Sequence, residues 1–204
     1  MKIFNPHRLL AIMRRPSLSR LFAVSTHLTD RERITLYALA RVCSGGSKGQ
    51  VNIVEIGSYL GASASFLAAG LRNESDKVFC IDTWENDAMS EGQRDTYAEF
   101  LDNIADYRER IAPLKGWSHD ASVLDEVRAK VGRIDLLFID GDHSHEGVLR
   151  DWQLYSPFLA PGSIVAMHDI GWARGVQQVV AEEIRPRVRN EHRLPNLWWA
   201  EFEC

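Results

Sequence analysis

Apolar residues recur along this chain in short continuous runs separated by longer stretches with helical spacing. Runs at 51–56 (VNIVEI), 77–81 (KVFCI), 110–115 (RIAPLK), 134–139 (IDLLFI) and 163–167 (SIVAM) are too short for buried helices, and each predicts a buried strand. Between them, 62–71, about 91–107, 121–130, 145–159 and 173–184 carry helical patterning. Ahead of the first strand, Thr29 and Glu32 form a capping box that opens a helix with Ile34, Tyr37, Ala38 and Val42 on one face, stopped by Gly45 and Gly46. At the other end, 188–193 and 197–202 form a closing pair around Pro195 and Asn196. Strand and helix alternate throughout, which predicts an α/β protein: a three-layer α/β/α sandwich on a mainly parallel sheet of seven strands.

Length and composition fit this picture. The 204 residues, 45% apolar and 25% charged, suffice for one domain with a full core. The charge is uneven. Residues 1–20 hold Lys2, Arg8, Arg14, Arg15 and Arg20 and no acid, so the net charge of −4 conceals a basic arm on an acidic body. Residues 1–48 read as that arm plus a helical cap, and 49–204 as the main domain. Leu9, Leu10, Ile12 and Met13 interleave with the arginines. This suits packing on the chain's own domain or on a second subunit, with weak contact to a membrane surface as the alternative; Pro6 and Pro16 keep any helix between them short. Nothing else supports nucleic-acid binding. Cys43, Cys80 and Cys204 have no metal-ligand spacing, and an odd count argues against a disulfide framework, so a reducing cytoplasm is expected. No apolar run is long enough to span a membrane.

The most informative stretch is EIGSYLG, where the first strand ends in Glu55 and is followed by Gly57, Ser58 and Gly61. A glycine turn after a strand is how open α/β sheets make nucleotide-type sites, but a carboxylate beside it would repel a pyrophosphate. About twenty-five residues on, Asp82 closes the second strand, where an acid can accept both hydroxyls of a ribose. Two carboxylates and no phosphate ligand suit a cationic nucleoside. The fourth strand ends in Asp140-Gly141-Asp142-His143 and the fifth in His168-Asp169, both rich in metal-ligand types. A dinucleotide-dependent oxidoreductase is disfavoured, because the turn lacks G-x-G-x-x-G and offers Ser58-Tyr59-Leu60 where a pyrophosphate needs close approach. A non-catalytic adenosyl-ligand binder is the other alternative.

These three segments, EIGSYLG, Asp82-Thr83-Trp84 and FIDGDHSHEGVLRDWQLYSPFLAPGSIVAMHD, resemble the class I S-adenosylmethionine-dependent methyltransferases. More narrowly they are similar to the small bacterial O-methyltransferases found beside antibiotic and polysaccharide pathways, which carry a DGDH-type motif and a divalent metal. The resemblance covers roughly 51–203. It implies a Rossmann-like fold with an antiparallel last strand, and S-adenosylmethionine as cofactor. Glu55, Gly57, Ser58 and Gly61 would hold its methionine end, Asp82 the ribose, Thr83 or Trp84 with Trp117 and Ser118 the adenine, and Asp140 the amino group. Asp140 and Asp169 would bind Mg²⁺ or Mn²⁺. His168, standing where relatives often carry an acid, would complete that site and tilt it toward Mn²⁺, Fe²⁺ or Zn²⁺. His143 is the candidate base, with His145 its competitor; Asp142 either orients it or is itself the base. The expected acceptor is a hydroxyl of a sugar or of an aromatic natural product, the residues leaving oxygen against nitrogen open, and a homodimer or higher homo-oligomer is expected.

Overall fold

A computed structural model describes residues 15, 17–46, 49–86 and 92–204. Seven strands form one sheet in the order β3-β2-β1-β4-β5-β7-β6. They are β1 (Asn52–Ile56), β2 (Lys77–Asp82), β3 (Ile111–Lys115), β4 (Ile134–Ile139), β5 (Leu159–His168), β6 (Val188–Arg193) and β7 (Leu197–Phe202). β1 to β5 pair in parallel, and β7 runs antiparallel to both β5 and β6. The helices are α1 (Leu18–Leu21), α2 (Asp30–Gly46), α3 (Ala62–Gly70), α4 (Tyr97–Asn103), α5 (Ala121–Lys130), α6 (His145–Tyr155) and α7 (Arg174–Val179), the last continued by a wider turn over Val180–Ile184.

The alternation of strand side chains divides the core between the two faces of the sheet. Ile53, Val78, Cys80, Leu136 and Phe138 meet Leu36 and Leu39 of α2, Ala64 and Leu67 of α3, and Phe100 of α4. On the opposite face Val54, Phe79, Ile81, Leu137 and Ile139 meet Val123 and Val127 of α5, Val148 and Trp152 of α6, and Val176 and Val179 of α7. The three-layer arrangement and the antiparallel closing strand are as expected.

Three local expectations are corrected. The core face of α2 is Leu36, Leu39 and Ala40, one helical step away from the expected stripe. Val42 is 66% exposed, while Ile34 and Tyr37 pack on a small cluster with Leu18, Leu21 and Phe22. The fourth helix begins only at Tyr97, because the chain before it turns back on the end of β2: the Arg94 and Thr96 N–H groups donate to the Glu85 and Trp84 carbonyls. The helix expected over 145–159 ends at Tyr155, since Pro157 sits in a short tight turn that leads directly into β5. Of the basic arm, 1–14 and 16 lie outside the described residues, so the amphipathic reading of 9–13 is not addressed. Arg15 packs on its own domain, donating to the Ala69 carbonyl and lying over the Tyr37 ring. No described helix is long and apolar enough to cross a membrane. The three cysteines are free thiols.

Candidate active site

A cleft of about 830 Å³ opens where β1, β2, β4 and β5 end. In parallel α/β sheets this is where neighbouring connections diverge and leave a crevice. Its base is set by Gly57, whose φ is +87° and on which a β-carbon would lie 2.1 Å from the Asp140 carbonyl oxygen. Only glycine allows β1 to turn this close to β4, and the junction is tied by the Asp140 N–H donating to the Ile56 carbonyl at 2.8 Å.

The turn is already filled by an anion of the protein's own. Asp82 Oδ2 accepts from the Ser58 and Tyr59 N–H groups at 2.9 and 2.8 Å, and Oδ1 accepts from Trp84 N–H at 2.7 Å. The donors that a dinucleotide site turns on pyrophosphate are here turned on a carboxylate. Behind the turn Glu55 is fully buried, accepting from Ser58 Oγ at 2.6 Å. Burial pushes its carboxyl up to about 7.

Of the residues expected to hold a cofactor, Gly57, Ser58, Asp82, Thr83, Trp117, Ser118 and Asp140 line the cleft. Glu55, Gly61 and Trp84 stand behind its wall. Trp84 is fully buried, its indole donating to the Tyr59 carbonyl at 3.0 Å and its ring packed on Tyr97 and Phe100. Gly61, at φ +81°, lets α3 start against Ile104 and Phe100. Trp198 is buried and Trp199 half-buried, both on β7.

At the ends of β4 and β5, ligand atoms of Asp140, His143 and Asp169 all lie within 4.8 Å of one another. His143 Nε2 is 2.7 Å from Asp169 Oδ2, and that hydrogen bond holds its imidazole above the ordinary histidine range against the effect of burial. The partner that orients His143 is therefore Asp169 and not Asp142, which accepts from the Ser144 N–H at the start of α6. His145 sits in the first turn of that helix, next to the Ser144 cap.

His168 is outside this group and 3% exposed. Its Nδ1 lies 2.9 Å from Asp140 Oδ1 and 3.3 Å from Asp169 Oδ1, and its Nε2 lies 3.7 Å from Glu32 Oε2. Burial would lower its pKa, but the carboxylate of Asp140, with those of Asp169 and Glu32, outweighs this and pushes it up to about 12. The Asn196 amide nitrogen also lies 3.3 Å from Nε2, so both ring nitrogens face neighbouring side chains. Two carboxylates and the imidazole of His143 instead form a donor set that fits a hard or borderline divalent cation. Asp169, which carries φ +59°, also accepts from the Trp172 indole at 2.7 Å and from the Asn196 amide at 2.8 Å. Burial opposes its ionisation, and His143 and His168 overcome that, holding it far below the usual carboxylate range.

Sequence reasoning passed over four of these participants. Glu32 reads as a helix cap, which it is, accepting from the Thr29 N–H at 2.7 Å. Asn196 reads as a turn residue and Trp172 as one position of a loop, and Asp151, buried on α6 with its Oδ1 accepting from Ser118 Oγ, was not singled out.

A family model described as a methyltransferase domain matches residues 54–170. The uncharacterized protein R132 of Acanthamoeba polyphaga mimivirus is 26% identical over 145 residues, which make up 71% of this chain and 62% of that protein. The chain thus spans less than two thirds of that relative. The O-methyltransferase from Bacillus cereus, solved in complex with SAH, has the same fold at TM-score 0.67 and 17% identity, covering 100% of this chain and 94% of the other. The O-methyltransferase NovP aligns at TM-score 0.70 and 14% identity, covering 88% and 82%. With the matched segment running from the glycine turn through the DGDH end of β4 to the close of β5, the chain belongs to the methyltransferase-domain family.

Proposed function

We propose that this protein is an S-adenosylmethionine-dependent O-methyltransferase of the cytoplasm, acting on a hydroxyl of a small molecule, a sugar or an aromatic natural product, with help from a divalent cation. The observation that carries this reading is one cleft joining the Asp82-filled glycine turn to the Asp140, His143 and Asp169 cluster. S-adenosylmethionine would supply an electrophilic methyl group on a sulfonium. The carboxylates lining the cleft favour that positive charge, and Asp82, at the end of β2 on the cleft wall, would meet the ribose hydroxyls.

The chain's remaining task is to make the acceptor nucleophilic and to align it. A neutral hydroxyl attacks poorly until it loses its proton. With Nε2–H of His143 donating to Asp169, Nδ1 carries the lone pair and takes the acceptor's proton, and Asp169 stabilises the imidazolium that results. Asp140 and Asp169 would hold a cation, which lowers the pKa of a bound hydroxyl. His168, set between Asp140 and Glu32, would hold the Asp140 carboxylate in place.

Calorimetric titration with S-adenosylhomocysteine, with EDTA and then with Mn²⁺, tests this. Micromolar binding, with a separate metal heat that Asp140→Ala removes, is expected. Absence of binding under both conditions would overturn it.

A further inference from the structure

Trp172 is a large apolar side chain that the fold fastens beside His143 and leaves uncovered. Among the described residues only Val42, Trp117 and Trp172 are large apolar side chains that stay exposed, and Trp172 is 61% so. It stands in the turn between β5 and α7, where the Trp172 and Ala173 N–H groups donate to the Asp169 carbonyl at 3.2 and 2.9 Å. That turn is pressed on the connection between β6 and β7. The Gly171 N–H donates to Asn196 Oδ1 at 3.0 Å, and a β-carbon on Gly171 would lie 2.6 Å from the Pro195 carbonyl oxygen. The indole itself is held by its Nε1–H on Asp169 Oδ1 at 2.7 Å and by an edge contact with His143, the ring centroids 5.0 Å apart.

The one polar atom of this indole is therefore engaged inside the protein, and what Trp172 offers the cleft it lines is flat hydrocarbon. We infer that Trp172 is the stacking platform for the methyl acceptor, and that the acceptor is a phenol and not a sugar. This rests on the methyltransferase reading above. A ring laid on the indole is a neighbour of His143, the proposed base, so the platform brings a ring hydroxyl to the group that deprotonates it. The choice of a phenol follows from the polar groups at this wall. Asp169 is engaged by His143, Trp172 and Asn196, while Asn196 gives its oxygen to the Gly171 N–H and its amide to Asp169, with His168 beside it. Occupied with one another, these groups have little to offer the several hydroxyls of a sugar ring, which would lie here without partners. A phenol brings one or two hydroxyls on an otherwise apolar ring. Tyr59 and His27, their rings 6.2 Å apart, add two more flat groups to the lining of the cleft.

The test is calorimetry on the full chain saturated with S-adenosylhomocysteine and Mn²⁺, titrated with catechol, caffeic acid and quercetin and, as the other arm, with methyl glucoside and methyl rhamnoside. At least one phenol should bind and neither sugar should. Trp172→Phe and Trp172→Leu both remove the N–H that Asp169 accepts, so the difference between them isolates the ring. Trp172→Leu should weaken the bound phenol at least about tenfold and Trp172→Phe by no more than about threefold, the size expected of an aromatic contact. Both variants should keep their affinity for S-adenosylhomocysteine, which shows that they are folded. Equal weakening by Phe and Leu would reduce Trp172 to a brace for Asp169 and overturn the assignment. Binding of a sugar in place of the phenols, or of none of the five compounds, would overturn it as well. Failure of wild type to bind S-adenosylhomocysteine would instead sink the methyltransferase reading, and this inference with it.

Discussion

Asp82, half-buried, and Asp169, buried, are both acids at strand ends, yet they are satisfied differently. Asp82 is held by backbone N–H groups of the turn it faces, and Asp169 by His143, Trp172 and Asn196. Asp82→Ala should therefore weaken S-adenosylhomocysteine about tenfold or more, because the turn loses its anchor. Asp169→Ala should leave that affinity within about threefold while methyl transfer to the true acceptor falls by about a hundredfold, in the range of a lost acid–base function. Normal turnover by Asp169→Ala would refute the role given to His143. Asp151 makes a pH prediction. Its folded pKa of about 6 lies above the ordinary 3.8, so the native state binds that proton more tightly and stability falls as pH rises from about 4 through 6. Asp151→Asn, which keeps an acceptor for Ser118, should raise unfolding free energy at pH 8 by at most about 3 kcal/mol and by almost nothing at pH 4. Urea melts at the two pH values measure the difference.

At the level of elements, α2 supplies both the fold and the site. The cap at its start is reciprocal: Glu32 accepts from the Thr29 N–H and hydroxyl, and Thr29 Oγ accepts from the Glu32 N–H at 3.3 Å. Thr29→Ala should cost about 1 kcal/mol in a denaturant melt. Glu32→Ala should cost more, since it also strips His168 of a neighbouring carboxylate. The strands were legible because five apolar runs leave little choice of structure. The α4 start was not, because only the return of Arg94 and Thr96 to the end of β2 forbids helix there, and that pairing is tertiary. For the same reason the contact between Glu32 and His168 was not legible: only the packing of α2 against β5 brings that carboxylate within 3.7 Å of the ring. Asp140, Asp169, His143 and Asp82 were legible because strand ends in an alternating α/β chain converge on one edge of the sheet.

Across the whole molecule, residues 25–28, ahead of α2, and Asn196, between β6 and β7, line the same cleft. A cation bound by Asp140 and Asp169 would join β4 to β5 and stabilise the native state by mass action, by about 2.7 kcal/mol at a hundredfold excess over Kd. A rise in melting temperature with Mn²⁺ that Asp140→Ala abolishes is the expected result, and an unchanged melt at millimolar Mn²⁺ would argue that His143 and Asp169 pair only with each other.

The contact between Glu32 and His168 has a consequence for anyone wishing to trim or transplant this protein. Composition draws a boundary near residue 48, and a cut there would look like the removal of an accessory segment. It would in fact take away one wall of the core, Leu36 and Leu39 included, and a carboxylate next to a histidine of the cleft. Swapping the first forty-eight residues for those of a relative is therefore a graft into the wall of the cleft, and a chimera would have to carry its partner at position 168 along with it.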